Sequence, residues 1–325
     1  MRDANTETAL NRRPRTMDIT LLEDFKALVE CMNFSRAAEA RNITQPAFSR
    51  RVRTLERWIG TPLFNRGSHR LALTPAGERF RRVAEETLRR LYQGRQEALD
   101  AVSAASSLRF ASTHALSVNF FPSWLRQVEP GLAYDSVRLI ADNMQGCERI
   151  MLQGEAHFLL CHYHPAAPSR LNADDFISMR LGNDVLIPIS AADETGRPRY
   201  VLPGDPDSPI PYLAFSEESG MGRIVAATRA QSGRPAWLKP VFSSHMSIVL
   251  KMLATDGRGI TWTPQSLVKD ELVPAGKLAR AGDSSWDIPM EIRIFRPRAR
   301  QRARAESFWT YLRNFREADN AEKSD

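Results

Sequence analysis

Gln45, Ser49, Arg50, Arg53 and Arg57 carry amide, hydroxyl and guanidinium groups that gather on one side of a helical projection, with Pro46 beside them. Groups of these types suit the reading of duplex DNA. Arginine grips guanine or phosphate, glutamine bonds adenine through two hydrogen bonds, and hydroxyls reach base edges or phosphate oxygens. Gln45, Ser49, Arg50 and Arg53 are the expected groove contacts. An ordinary solvated helix face is the other reading of such a charge run. The elements that must hold the stripe discriminate between the two.

Phe48, Val52, Leu55 and Ile59 lie at i, i+4, i+7 and i+11, so the opposite side of the same helix is apolar and must pack inward. Thr44 is placed to cap this helix, and Pro46 sits in its first turn, where a missing N–H costs little. Asn42 and Ile43 make the preceding turn. Before it, a short helix from Ser35 to Arg41 carries Ala37 and Ala38, small enough for a close crossing. Leu22, Phe25, Val29 and Met32 define a first helix. After Gly60, which can end the long helix, Leu63-Phe64 and Leu71-Ala72-Leu73 read as short strands flanking Arg66-Gly67-Ser68-His69-Arg70. The expectation is a winged helix-turn-helix with Arg66 and Arg70 on the wing, and with Ser35 and Arg36 as further DNA contacts. Cap, turn, stripe and wing agree, which favours DNA over a solvated face.

The run FSRAAEARNITQPAFSRRVRTLERWIGTPLFNR followed by LTPAGERF, from Phe34 to Phe80, resembles the amino-terminal signature of LysR-type transcriptional regulators. The resemblance implies that Gln45, Pro46, Ser49 and Arg50 read the operator and that Arg66 is the wing arginine. It also implies a periplasmic-binding-protein-like effector region of two α/β subdomains, a homodimer assembling to a homotetramer on an inverted-repeat operator, and autoregulated or divergently transcribed targets. RNA polymerase is a conceivable partner.

The chain has 325 residues and a net charge of +7, and residues 1 to 77 hold 13 Lys and Arg against 8 Asp and Glu. The basic excess lies where DNA requires it. The polar start MRDANTETALNRRPRT lacks the apolar segment of a secretory signal and no run of about 18 apolar residues occurs, so a cytoplasmic location is expected. Cys31, Cys147 and Cys161 have no paired spacing, which points to reduced thiols. No cofactor or metal is expected. Residues 1 to 16 read as a disordered arm, either a minor-groove contact or an extension without a role.

Thr74-Pro75 opens a new helix running toward Ala104. Phe80, Ala84, Thr87, Leu91, Gly94, Ala98 and Ala101 alternate four- and three-residue steps, a seam that either joins two chains or packs on the chain's own domains. Beyond Ser107, strand-like runs at 108–111, 137–141, 158–161, 185–189, 212–215, 241–242, 259–262 and 291–295 alternate with helical patterns, which is α/β architecture. The expected organisation is an arm (1–16), a winged helix-turn-helix (17–77), a linker helix (78–106), subdomain I (107–184 and 290–318), subdomain II (185–289) and a tail (319–325).

Four strand-to-helix junctions carry small hydroxyl residues: Ser112-Thr113-His114, Ser216 to Met221, Ser243-Ser244-His245-Met246, and Thr261-Trp262-Thr263-Pro264. Ligands in open α/β sheets sit outside the carboxyl ends of strands, where helix starts offer N–H groups to an anion or carboxylate. Ser112, Thr113, His114, Ser219, Met221, Ser243, Ser244, His245, Met246 and Thr263 are the effector-binding candidates. Singly, each hydroxyl also reads as a plain helix cap.

Within the family, NFSRAAEARNITQPAFSRRV, SSHMSIVLKMLATDGRGITWTP and SGMGRIV most resemble the hypochlorite-responsive branch, whose sensing is attributed to methionine oxidation. By that likeness Met221 and Met246 are redox candidates, against the alternative that they merely fill apolar gaps. Val128 stands near a further methionine position of that branch. Cys161-His162-Tyr163-His164 does not converge as a metal cluster on a strand and fits the edge of the cleft. His157 and Cys147 read as structural.

The chain lacks a P-loop, an H-E-x-x-H pair, a G-x-S-x-G elbow and a G-x-G-x-x-G run after its strands, so an enzyme is not expected. An architectural DNA binder without effector control conflicts with the large α/β region, since non-specific binding needs only basic surface. Toward the carboxyl end, Phe308, Leu312 and Phe315, with Trp309 beside them, should dock on the first lobe. RPRARQRAR (296–304) reads as a solvated face, an oligomer contact or a second nucleic-acid contact.

Overall fold

A computed structural model describes residues 17–65, 71–102, 107–132, 136–272, 274 and 276–322. The 1–16 arm, Arg66 and Arg70 of the wing, the last linker residues (103–106) and the end of the tail (323–325) lie outside the described residues. The chain divides into two compact units, Met1–Ala98 and Leu99–Asp325.

In the first unit, α1 (Ile19–Cys31), α2 (Phe34–Ala40) and α3 (Gln45–Ile59) precede β1 (Phe64–Asn65), β2 (Ala72–Leu73) and the start of α4 (Pro75–Val102). The caps explain the bounds. Asp18 accepts from the Thr20 N–H at 2.9 Å, and Asn33 accepts from those of Ser35 at 2.9 Å and Arg36 at 3.1 Å. Thr44 holds the cap position of α3, but its side chain makes no capping bond; Pro46 in the first turn removes one donor needing a partner. Gly60 ends α3 at φ 89°, a left-handed conformation that costs glycine little. Met32, expected on the first apolar stripe, is instead the left-handed cap of α1 and is exposed, and Leu28 takes the buried place. Phe48, Val52 and Leu55 pack with Leu22, Phe25, Leu28, Ala37, Ala38, Leu63 and Phe64.

The linker seam is divided by the structure. Ala84 and the unforeseen Leu88 are buried in the first unit's core, with Phe80 packed against it, while Thr87, Leu91, Gly94 and Ala98 are exposed. Val83 and Leu91 are half uncovered, at 59% and 51%. The exposed line of small and apolar side chains is therefore Val83, Thr87, Leu91, Gly94 and Ala98. Ala101 has no described side chain.

The second unit contains β3 (Leu108–Thr113), α5 (His114–Asn119), α6 (Phe121–Val128), β4 (Val137–Asp142), α7 (Met144–Leu152), β5 (Phe158–Tyr163), β6 (Phe176–Ala191), β7 (Ile210–Phe215) and α8 (Gly220–Ser232). It continues through β8 (Leu238–Ser244), α9 (Ser247–Thr255), β9 (Thr261–Pro264), α10 (Gln265–Val268), β10 (Leu278–Arg280), β11 (Ile288–Pro297) and α11 (Ala303–Glu322). A seven-stranded sheet runs β10-β6-β11-β5-β3-β4 with β9 also on β6, while β7 and β8 pair in parallel as a second sheet.

The crossings between the two halves are strands. β6 and β11 pair from Ile288–Leu186 to Pro297–Phe176, with a register shift between Ile292 and Arg293. Residues 184/185 and 289/290, the expected limits between subdomains, lie within these strands. The first half of β6 escaped the sequence reading because its burial is irregular and includes exposed Arg180. β10 was missed as well, being only three residues long.

β3, β4 and β5 form a parallel set, and antiparallel β11 joins it to β6. Phe308 and Leu312 of α11 are buried in that core, with Phe308 edge-on to Phe110 at 5.7 Å and Trp309 stacked on Phe158 at 6.2 Å. Arg296 takes none of the roles expected of its basic run: it is buried and bonds Glu306 at 2.6 and 2.9 Å. Among the described residues no helix is long and apolar enough to cross a membrane.

Candidate functional site

In the first unit, α3 holds out the donor stripe read from the sequence. Gln45, Pro46, Arg50, Arg53 and Arg57 are exposed and Ser49 is half-buried; at the start of α2, Ser35 and Arg36 are exposed. Among the described residues Arg36, Arg50 and Arg53 have no ion-pair partner, so their guanidinium groups are available to an anionic surface. Arg57 instead donates to the Thr54 hydroxyl at 3.0 Å along its own helix.

A buried charge network sets the attitude of these helices. Asp24 is fully buried on α1 and accepts from Arg41 Nε at 2.9 Å and from Arg51 of α3 at 3.5 Å, while Arg41 also bonds Glu23 at 2.6 Å. Tyr92 of α4 donates its hydroxyl to Glu23. Burial, then the Glu23 carboxylate, pushes the Tyr92 phenol up to about 12, so it remains a donor at neutral pH. Glu56 accepts from the N–H groups of Leu63 and Phe64 at 2.9 and 3.2 Å, which fixes the first wing strand to α3. At Gly77 an added Cβ would lie 2.1 Å from the Leu63 carbonyl oxygen, so α4 reaches the wing only through a glycine. Asp24 and Glu56 escaped the sequence reading because a lone carboxylate in a helix carries no periodic signal.

In the second unit, the amino-terminal ends of α5, α7, α8 and α9 meet at a cavity of about 30 Å³ lined by Thr113, His114, Ala115, Asn143, Met144, His162, Ser219, Gly220, Met221, His245 and Ser247. That volume holds one or two water-sized groups. Asn143 caps α7 through the Gly146 N–H at 2.8 Å, and Ser219 caps α8 through that of Gly222 at 3.3 Å. Gly220 permits a tight approach, since a Cβ there would be 3.2 Å from the Met144 side chain. The His114 and His245 rings lie 5.5 Å apart.

Five of the effector candidates, Thr113, His114, Ser219, Met221 and His245, line this cavity. The other five do not. Ser112 alternates to the opposite face of β3 and bonds the Thr113 carbonyl at 3.2 Å. Ser243 is exposed on β8, Ser244 accepts from the Met246 N–H at 3.1 Å as a turn cap, and Met246 is the half-buried residue preceding α9. Thr263 is fully buried on β9. Asn143 and Met144 were missed, although Asp142-Asn143-Met144 is another strand-to-helix junction of the kind used to choose the rest. His162, placed at the cleft edge from sequence, lines the cavity, and His164 turns away to accept from the Ala166 N–H at 3.2 Å.

Behind the wall, His162 Nε2 lies 3.3 Å from Asp184 Oδ2, which also accepts from the Ser266 hydroxyl at 2.6 Å. Burial opposes the Asp184 charge, but bonds from His162, Ser266 and the Val185 N–H outweigh it and hold the carboxyl below its usual range. Beside the cavity, Glu148 of α7 is fully buried and bonds Arg223 of α8 at 2.9 and 3.0 Å and the Arg170 N–H at 3.0 Å. The Gln145 N–H also donates to the Glu218 carbonyl at 3.3 Å. These bonds tie the ends of α7 and α8 together across the cavity.

The buried cysteines are poor nucleophiles. Burial, with the Asp142 charge adding to it, pushes the Cys147 thiol up to about 12, and burial raises Cys161 further. The native chain is expected to leave both unmodified by a disulfide thiol reagent over minutes, whereas unfolded protein should react at all three cysteines. Rapid native labelling at Cys147 or Cys161, located by peptide mass spectrometry, would contradict this.

Residues 19–78 match the family profile described as bacterial regulatory helix-turn-helix protein, lysR family, and residues 101–316 match the LysR substrate binding domain. The HTH-type transcriptional regulator YjiE of Escherichia coli K12 is 32% identical over 293 residues, covering 90% of this chain and 93% of YjiE. Full-length HypT of Salmonella typhimurium, a hypochlorite-specific LysR-type regulator, is 30% identical with a TM-score of 0.55, covering 93% of this chain and 100% of that one. Vibrio fischeri DarR, solved in complex with DNA, is 31% identical with a TM-score of 0.53, covering 91% of this chain and 98% of DarR. Both matched families concern regulation, so the chain is not an enzyme. Helix-turn-helix, linker helix and substrate-binding α/β unit together make this chain a member of the LysR family of transcriptional regulators.

Proposed function

We infer that this regulator acts in the cytoplasm on an inverted-repeat operator, and that a small effector or an oxidant in the cavity between its α/β halves alters its grip on DNA. The observation carrying this reading is the meeting of four helix starts, bearing Thr113, Asn143, Ser219 and Ser247, at one cavity. Gln45, Pro46, Ser49, Arg50 and Arg53, with Ser35 and Arg36, face the duplex, and Arg66 and Arg70 extend the contact along its backbone. The exposed Val83–Leu91–Ala98 line supports pairing of two linker helices. Val241, Phe242, Ile248 and Met252, apolar and exposed on β8 and α9, offer a second face for assembly to a tetramer. A monomer at micromolar concentration in sedimentation equilibrium would end the assembly reading.

The cavity reading is tested by operator-fragment mobility shift against small carboxylates, amino acids and hypochlorite. Thr113→Val and Ser219→Ala should blunt the effector response at least tenfold, with folding checked by thermal melting. An undiminished response sinks the reading.

The oxidant alternative is favoured at Met221 over Met246, because Met221 lines the cavity, beside Met144, and Met246 does not. There hypochlorite would transfer its oxygen to the thioether, giving sulfoxide and chloride. Peptide mass spectrometry should find that oxygen on Met221; an unoxidised Met221 beside an intact transcriptional response discards the alternative.

A further inference from the structure

Two buried polar atoms on the cavity wall, His162 Nδ1 and Thr113 Oγ1, have no hydrogen-bond partner among the described residues. The His162 side chain is only 3% exposed. Its Nε2 faces Asp184, whose carboxylate accepts and cannot donate, so the shared hydrogen belongs to Nε2. A neutral imidazole then shows a bare lone pair at Nδ1, and a protonated one shows a second N–H. Buried polar groups left in this condition mark a place where something binds. The surroundings select its charge. The starts of α7 and α8 border the cavity and no carboxylate is among its lining residues.

An anion entering this space alone would leave a buried charge uncompensated, which is costly. An anion entering with a proton adds no net charge. The proton has a prepared seat, because Asp184 stands behind the ring as counter-charge. We propose that the cavity binds one small monovalent anion together with one proton: His162, protonated, donates from Nδ1 to the anion, Thr113 donates from Oγ1, and Asp184 accepts from Nε2. Resting on the effector reading above, this narrows the ligand to a weak acid of a few heavy atoms, since about 30 Å³ excludes an aromatic carboxylate.

The other charged groups around His162 are accounted for. His114 of α5 and His245 ahead of α9 line the same cavity. On β11, Ile292 is in register with His162, and its neighbours Glu291 and Arg293 bond one another at 2.5 Å. Glu148 and Arg223, on α7 and α8, are paired with each other. His114 and His245 are the alternative proton acceptors.

The test is titration calorimetry of the full chain with sodium formate at pH 8, in two chloride-free buffers of different ionisation enthalpy, with sodium benzoate for comparison. Imidazoles are ordinarily neutral at this pH. About one proton should be taken up per formate bound, and benzoate should bind at least tenfold more weakly. His162→Gln should abolish the uptake and weaken formate at least tenfold. Thr113→Val, nearly isosteric, should weaken it severalfold and keeps the test valid if the histidine variant unfolds. Formate binding without proton uptake, uptake that survives His162→Gln in folded protein, or no formate binding at 100 mM overturns the inference. If benzoate binds more tightly and changes operator affinity, the inference fails while the effector reading stands; if Thr113→Val and Ser219→Ala respond normally to every effector, the effector reading itself fails.

Discussion

Glu148→Ala is expected to destabilise the α/β unit by about 3–5 kcal/mol, the usual consequence of removing one partner from a buried ion pair. Glu148 is completely buried and accepts from Arg223 and from the Arg170 N–H, so truncation strands a largely buried guanidinium and an amide. The effect arises from the charge left behind more than from the attraction lost. Glu148→Met combined with Arg223→Met should therefore cost much less than the single truncation. Urea unfolding of the full chain followed by tryptophan fluorescence measures both, because Trp58 is the sole tryptophan before residue 99 and the other five report on the second unit. A loss under about 1 kcal/mol for Glu148→Ala would show that α7 and α8 separate in solution and that water reaches the pair.

Arg50→Ala is expected to weaken operator binding by about 1–3 kcal/mol, on the order of tenfold to a hundredfold, and to relax the preference at one base pair. Arg50 is exposed on α3 beside Gln45 and Pro46 and has no ion-pair partner among the described residues, so truncation leaves the ion pairs inside the protein undisturbed. Arg51 is the informative contrast. It is tied to Asp24, and Arg51→Ala should lower the melting temperature of the first unit. Competition binding over an operator library separates base reading from phosphate contact. Uniform weakening across all sequences would reassign Arg50 to the phosphate backbone.

The recognition stripe was legible because a helix on a protein surface must segregate its residues with a period near 3.6, and Phe48, Val52 and Leu55 allow only one inward face. The turn at Gly60 was legible because glycine alone adopts left-handed backbone at little cost, and the wing strands through short apolar runs on either side of a polar, basic turn. The cavity was legible only in part. Strand-to-helix junctions are local features, so Thr113 and Ser219 could be named, but whether a hydroxyl faces a cavity or the core depends on strand direction and on partners distant in the chain. That is why Ser112 and Thr263 point elsewhere.

Local pattern by itself therefore determined the helix Gln45–Ile59 with its apolar and cationic faces, its cap positions and the alternation of strands and helices, because each depends on neighbours within a few residues. Only the tertiary structure decided how the linker seam is shared, with Ala84 spent on the core and Leu91 left outside. It also decided the pairing of Glu148 with Arg223 and of His162 with Asp184, 75 and 22 residues apart. A buried charge is tolerated only where a distant chain segment delivers its partner, and single-chain periodicity carries no record of that meeting.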